Sequence, residues 1–87
     1  MSTAENKIEF TEEQQRELDR RRNLYQEAVE QWIQRIREEE ALARPDHSLA
    51  EVDAWEHAHF QEEDARTKAK QARQDYQDEL RRILFGF

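Results

Sequence analysis

Between positions 56 and 64 the chain reads Glu56-His57-Ala58-His59-Phe60-Gln61-Glu62-Glu63-Asp64, two imidazoles among four acids. Imidazole nitrogen with carboxylate oxygen is the donor set of borderline divalent ions such as zinc, iron and manganese. On a helix, residues three or four apart share a face while residues two apart diverge. His57 and His59 therefore cannot grip one ion, and His59 must find co-ligands at Glu56, Glu62 or Glu63. A metal site built this way would be completed across a dimer axis. The simpler use of the same residues is pairing, with His59 and its glutamates bonded to each other or to an arginine of a partner.

Two further clusters are chemical in character. Arg20, Arg21 and Arg22 make a basic run, and Glu38, Glu39 and Glu40 make an acidic one. Both are candidate surfaces for binding a partner, as are the aromatic side chains Phe85 and Phe87 at the C-terminal end. The basic run is a weak nucleic-acid footprint, because the chain carries a net charge of −7 and offers no free aromatic platform beside it. Dense carboxylates on a rigid rod have a different potential use, as an imitation of a phosphate backbone that occupies a nucleic-acid channel. Enzymatic chemistry lacks its parts. The chain has no cysteine and a single glycine, so it has neither a thiolate nucleophile nor a glycine-rich phosphate loop. Ser48 beside His47 is better used as a helix cap than as a nucleophile.

Composition narrows the class. Eighty-seven residues form one small domain, which buries only about 60–65% of the surface its unfolded chain exposes. Apolar residues are 36% and charged residues 40%, a balance shared by disordered chains and by coiled coils, so periodicity has to separate the two. The longest apolar run near the end, Ile83-Leu84-Phe85, is far short of the ~20 residues that span a bilayer. No cysteine and no signal-peptide pattern point to a cytoplasmic protein.

The elements that must position these residues are two long helices. Thr11-Glu12-Glu13-Gln14 and Ser48-Leu49-Ala50-Glu51 both match the capping box. Pro45 disfavours helical geometry at Arg44, and Asp46 suits a turn. The expected layout is an N-terminal arm over residues 1–10, then a hairpin over 11–87 with a helix at 11–43, a loop at 44–47 and a helix at 48–85. Acid-to-base pairs at four-residue spacing support the helices: Glu12–Arg16, Glu17–Arg21, Glu40–Arg44, Glu62–Arg66, Asp64–Lys68 and Asp78–Arg82. On a heptad, Leu18, Arg22, Tyr25, Val29, Trp32, Ile36, Glu39 and Ala43 form the seam of the first helix. The second helix answers with Trp55, Glu62, Ala69, Tyr76 and Ile83 in one row, and Ala58, Ala65, Ala72 and Glu79 in the other. Large side chains on the first arm then lie over alanines on the second.

Folding symmetrically about the loop, with equal rise on both arms, makes facing residue numbers sum to about 91. That register sets Glu38, Glu39 and Glu40 level with Glu51, Asp53 and Glu56, and Arg20, Arg21 and Arg22 level with Lys68, Lys70 and Arg73. Like charges would then face one another, a conflict that a second, antiparallel hairpin relieves by setting acidic halves against basic waists. At the open end, Ile8 and Phe10 would plug the rod against Leu80, Ile83, Leu84 and the terminal phenylalanines.

The expected fold is all-α, a coiled-coil-like antiparallel hairpin that dimerises into a four-helix assembly. The expected function is non-catalytic and needs no cofactor: a protein–protein interaction module, such as a small accessory subunit, adaptor or inhibitor. Its partner would be itself or a larger subunit, with neither nucleic acid nor membrane involved. One resemblance bears on the alternative. The spacing of Glu56-His57-Ala58-His59, read as Glu-x-x-His, is similar to the way ferritin-like di-iron bundles present ligands from one helix, with Glu27 or Glu30 as the earlier carboxylate. It implies a metal-binding dimer using His59 and Glu62.

Overall fold

The computed structural model describes residues 8–43 and 48–86. Most of the expected arm, the loop at 44–47 with Pro45, the Glu40–Arg44 pair and Phe87 lie outside the described residues. Two helices make up the rest, α1 (Glu12–Leu42) and α2 (Leu49–Phe85), packed antiparallel in a rod of 64 × 28 × 18 Å. Among the described residues no helix is long and apolar enough to cross a membrane.

The helices begin where the capping residues dictate. Thr11 holds an extended backbone, its hydroxyl accepts from the Gln14 N–H at 3.1 Å, and the Gln14 side chain accepts from the Thr11 N–H at 3.0 Å. Two of the otherwise unpaired donors at the helix start are satisfied this way. Ser48 supplies the first half of this arrangement for α2, its hydroxyl accepting from the Glu51 N–H at 3.2 Å. Gly86, at φ +80°, ends α2 in the left-handed conformation that only glycine adopts without strain, and its N–H closes on the Arg82 carbonyl at 2.9 Å.

Between the helices the core is thin and built as the heptad requires. Leu18 of α1 and Ala58, Ala65 and Ala69 of α2 are buried, as are the carboxylates Glu62 and Glu79. Tyr25, Ala28, Val29, Trp32 and Ile36 are half-buried along α1. Small residues on one helix opposite large ones on the other allow close approach of the axes.

The register differs from a symmetric fold-back. Trp32 meets Glu62 rather than position 59, Arg35 meets Gln61 rather than 56, Glu39 meets His59 rather than 52, and Arg21 meets the Asp75 backbone rather than position 70. These contacts run three to seven residues further along α2, and the looser Arg21–Glu79 pair nine. Residues 49–57 are all exposed and burial on α2 starts only at Ala58, so the first turns of α2 extend past the region that α1 covers. Trp55, expected on the seam, is therefore 38% exposed, and Val52 is exposed with it. Arg22, also placed on the seam, is exposed on α1.

Part of the basic layer of the symmetric register persists, since Arg20 and Arg21 line one recess with Lys68, but each of these cations has a carboxylate. Arg20 and Arg21 converge on Glu17 at 2.7 and 2.6 Å, and Arg21 also reaches across to Glu79 at 3.6 Å. Glu38 pairs with Arg35 at 2.9 Å, Glu39 with His59 at 2.7 Å, and Lys68 with Asp64 at 3.1 Å. Glu17–Arg21, Asp64–Lys68 and, more loosely at 3.7 Å, Glu62–Arg66 are the expected pairs that form; Arg82 turns to Glu79 rather than Asp78. At the open end the plug is partial: Phe10, Leu80 and Ile83 are half-buried, while Ile8, Leu84 and Phe85 are exposed.

Candidate functional site

His59 lies on the flank of α2, one turn after Trp55 and just past the point where α1 begins to cover the helix. Its position four residues from Trp55 brings the rings into a stack, with centroids 6.2 Å apart and planes inclined by 16°. Glu39 reaches over from α1, placing Oε2 at 2.7 Å from His59 Nδ1. On the other side of the ring, Glu63, one turn further along α2, brings Oε1 to 3.2 Å from Nε2. Two carboxylates facing both ring nitrogens are satisfied only by the imidazolium, which donates from each. Accordingly the hydrogen bond that His59 donates to Glu39, reinforced by the charges of Glu63, Glu39 and Glu62, raises the His59 pKa against a smaller opposing effect of desolvation.

Glu62 completes the group from the seam. Its Oε2 accepts from Trp32 Nε1 at 2.6 Å, and the Arg66 guanidinium stands 3.7 Å from the same oxygen. A buried carboxylate requires such partners, since desolvating it alone is costly. One ligand atom from each of Glu39, His59 and Glu62 falls within 4.8 Å of the others. Among the described residues this is the one place where three metal-ligating side chains converge so closely.

Of the four residues expected at a metal site, the fold brings His59 and Glu62 into this cluster, sets Glu63 behind the imidazole, and leaves Glu56 exposed outside it. Glu39 takes the remaining place. Sequence reasoning assigned it to an acidic docking surface; the signal that it belongs with His59 was its own heptad position, a carboxylate on the seam. The Glu38 and Glu40 neighbours turn elsewhere, Glu38 to Arg35 and Glu40 to an exposed position.

A second charged cluster lies towards the other end of the rod. Arg82 donates through Nε to Glu79 Oε1 at 3.0 Å, and this contact lowers the Glu79 pKa despite burial. Arg20 and then Arg21 hold Glu17 down to about 2. Arg20 and Arg21, expected to face a partner, are thus engaged within the hairpin, while Arg22 remains exposed.

Sequence reasoning overlooked Phe60. It is 66% exposed on the side of α2 away from α1. Glu56, Glu63 and Asp64, three and four residues away, surround it on the same helical surface. Leu49, Val52 and Trp55 add exposed apolar surface over the preceding turns. Near the other end of α2, Asp78, Arg81, Arg82 and Phe85 line a shallow cleft on the same outer side. No protein-family model, no curated protein and no solved structure matches this chain.

Proposed function

We propose that this chain is a non-catalytic helical interaction module that binds protein through the outer face of α2, with a second copy of itself as partner. The observation that carries the reading is the exposed apolar side chains Leu49 and Val52, on turns that α1 does not cover, and Phe60, on the side of α2 opposite its buried alanines. Apolar residues scattered singly over a surface are ordinary; Leu49 and Phe60, eleven residues apart, return to one face of α2 with Val52 at its edge. The acids around Phe60 ask for a partner surface that is apolar and basic at once.

The far end of α2 offers that chemistry. Phe85 lies beside Arg81 and Arg82 on the outer side, roughly 37 Å from Phe60 at helical rise. When two copies of α2 run antiparallel about a two-fold axis near residues 72 and 73, Phe60 of one copy comes beside Phe85 of the other. Glu63 and Asp64 then fall level with Arg82 and Arg81. Each contact occurs twice, as an isologous interface requires. This dimer uses a different surface from the offset assembly, acidic halves against basic waists, expected from the sequence.

Sedimentation equilibrium tests the reading. A dimer is expected in the micromolar range, with Phe60→Ser and Arg81→Glu each shifting it towards monomer at unchanged helicity. The double variant Asp64→Lys with Arg81→Glu should restore association, because the charges are exchanged rather than lost. A photo-crosslinking residue at position 60 distinguishes the partners: crosslinking to a second copy supports the dimer, crosslinking to a different protein replaces it, and a monomer that crosslinks to nothing overturns the interaction face.

A further inference from the structure

We infer that Glu39, His59 and Glu62 form a binding site for a divalent transition ion of the zinc and manganese class, which would bridge α1 to α2. The donors come from both helices: one carboxylate from α1, one imidazole and one carboxylate from α2, with ligand atoms all within 4.8 Å. An ion about 2.0–2.2 Å from each donor needs donors roughly 3–3.5 Å apart. The 2.7 Å between His59 Nδ1 and Glu39 Oε2 must therefore open by a few tenths of an ångström and the wider separations must close. Side-chain torsions of Glu39 and His59, both partly exposed, provide that movement around the buried Glu62.

The neighbours are arranged as the surroundings of a metal site usually are. A ligating histidine commonly passes its other ring N–H to a carboxylate, which fixes its tautomer. His59 has that carboxylate in Glu63, at 3.2 Å from Nε2, leaving Nδ1 for the ion. Trp32 holds Oε2 of Glu62 at 2.6 Å, which orients the carboxylate. Three carboxylates, Glu39, Glu62 and Glu63, stand against one imidazole and Arg66, so an added cation meets an excess of negative charge. Binding is an exchange: the ion takes the Nδ1 lone pair of His59, and the proton there leaves to solvent. Three protein donors leave the remaining positions to water.

The test is calorimetric titration of chelator-stripped full-length protein with zinc chloride and, separately, manganese chloride. One saturable site per chain is expected, together with a higher melting temperature than in EDTA. His59→Gln and Glu39→Gln should each weaken binding at least about tenfold, and Trp32→Phe about tenfold through loss of orientation, while Glu56→Gln should leave it unchanged. Glu39→Gln also removes a contact between the helices, so the wild-type protein supplies an independent readout. On zinc addition the His59 Nδ1 resonance in a long-range 15N–1H spectrum should move while the His57 ring signals stay. No saturable binding of either ion, binding that survives both His59→Gln and Glu39→Gln, or an unmoved His59 resonance would each overturn the site.

Discussion

Trp32 Nε1 donates to Glu62 Oε2 at 2.6 Å, tying the broadest side chain of the α1 seam to a carboxylate buried among the alanines of α2. The bond does two things. It supplies the buried carboxylate with a short donor, and it fixes which turn of α2 faces which turn of α1.

Trp32→Phe should therefore destabilise the hairpin by about 1.5–3 kcal/mol, the range for losing a hydrogen bond to a charged group. The ring that fills the seam is largely kept, so the loss reports on the donor. Glu62→Gln keeps an acceptor for the indole and should cost less than Trp32→Phe. Urea unfolding followed by far-ultraviolet circular dichroism measures both, and equal costs would assign the Trp32 effect to packing instead.

The buried alanines invite a test in the opposite sense. Ala69 is 3% exposed, where a larger side chain has nowhere to go unless the helices part. Ala69→Leu should cost about 1–3 kcal/mol by overpacking, although leucine is a good helix former. Ala54→Leu, on the exposed first turns of α2, should be close to neutral. Matched thermal melts of the two variants separate the seam from helix propensity.

The acid limb of stability follows from Glu17 and Glu79. Glu17 is lowered to about 2 by Arg20 and then Arg21, and Glu79 is lowered chiefly by Arg82. A carboxylate with a depressed folded pKa binds fewer protons folded than unfolded, so its contribution is complete above the ordinary value near 4.5 and lost as pH falls towards the folded value. Melting temperature should drop between about pH 5 and pH 2, less steeply in Glu79→Gln, and less steeply at high salt because Glu17 and its partners are screened. His59 acts with the opposite sign. Its raised pKa gives a contribution present below the ordinary imidazole value of 6.5 and lost as pH rises through the folded value, which a titration in EDTA should reveal.

The fold was legible because its signals are local. Thr11 and Ser48 announce the helix starts, Gly86 the end, and the heptad rows of α1 and α2 the faces that meet. Register was not legible, because alanines at Ala58, Ala65 and Ala69 look alike at successive turns and periodicity alone fits several alignments equally. What selects among them is long-range pairing, Trp32 with Glu62 and Glu39 with His59, which depends on side chains reaching between helices. The same gap explains the candidate site: His59 and Glu62 stand out along α2, whereas Glu39 becomes a neighbour only once the register is known. Phe60 escaped notice because it lies off both seam rows.

Trp55 gives the sharpest check on that register. A symmetric fold-back buries it, and removing a buried tryptophan costs about 3–5 kcal/mol. In the shifted register it stands on turns that α1 does not cover, stacked on His59 and 38% exposed. Trp55→Ala should then cost no more than about 1 kcal/mol in the monomer, as surface substitutions do. Because Trp55 is five residues from Phe60 and lies on a different side of α2, the same change should leave self-association unchanged while Trp32→Ala reduces stability more strongly. Denaturant unfolding at low protein concentration, paired with sedimentation at high concentration, reads the two effects apart; a loss of several kcal/mol for Trp55→Ala in the dilute sample would restore the symmetric register.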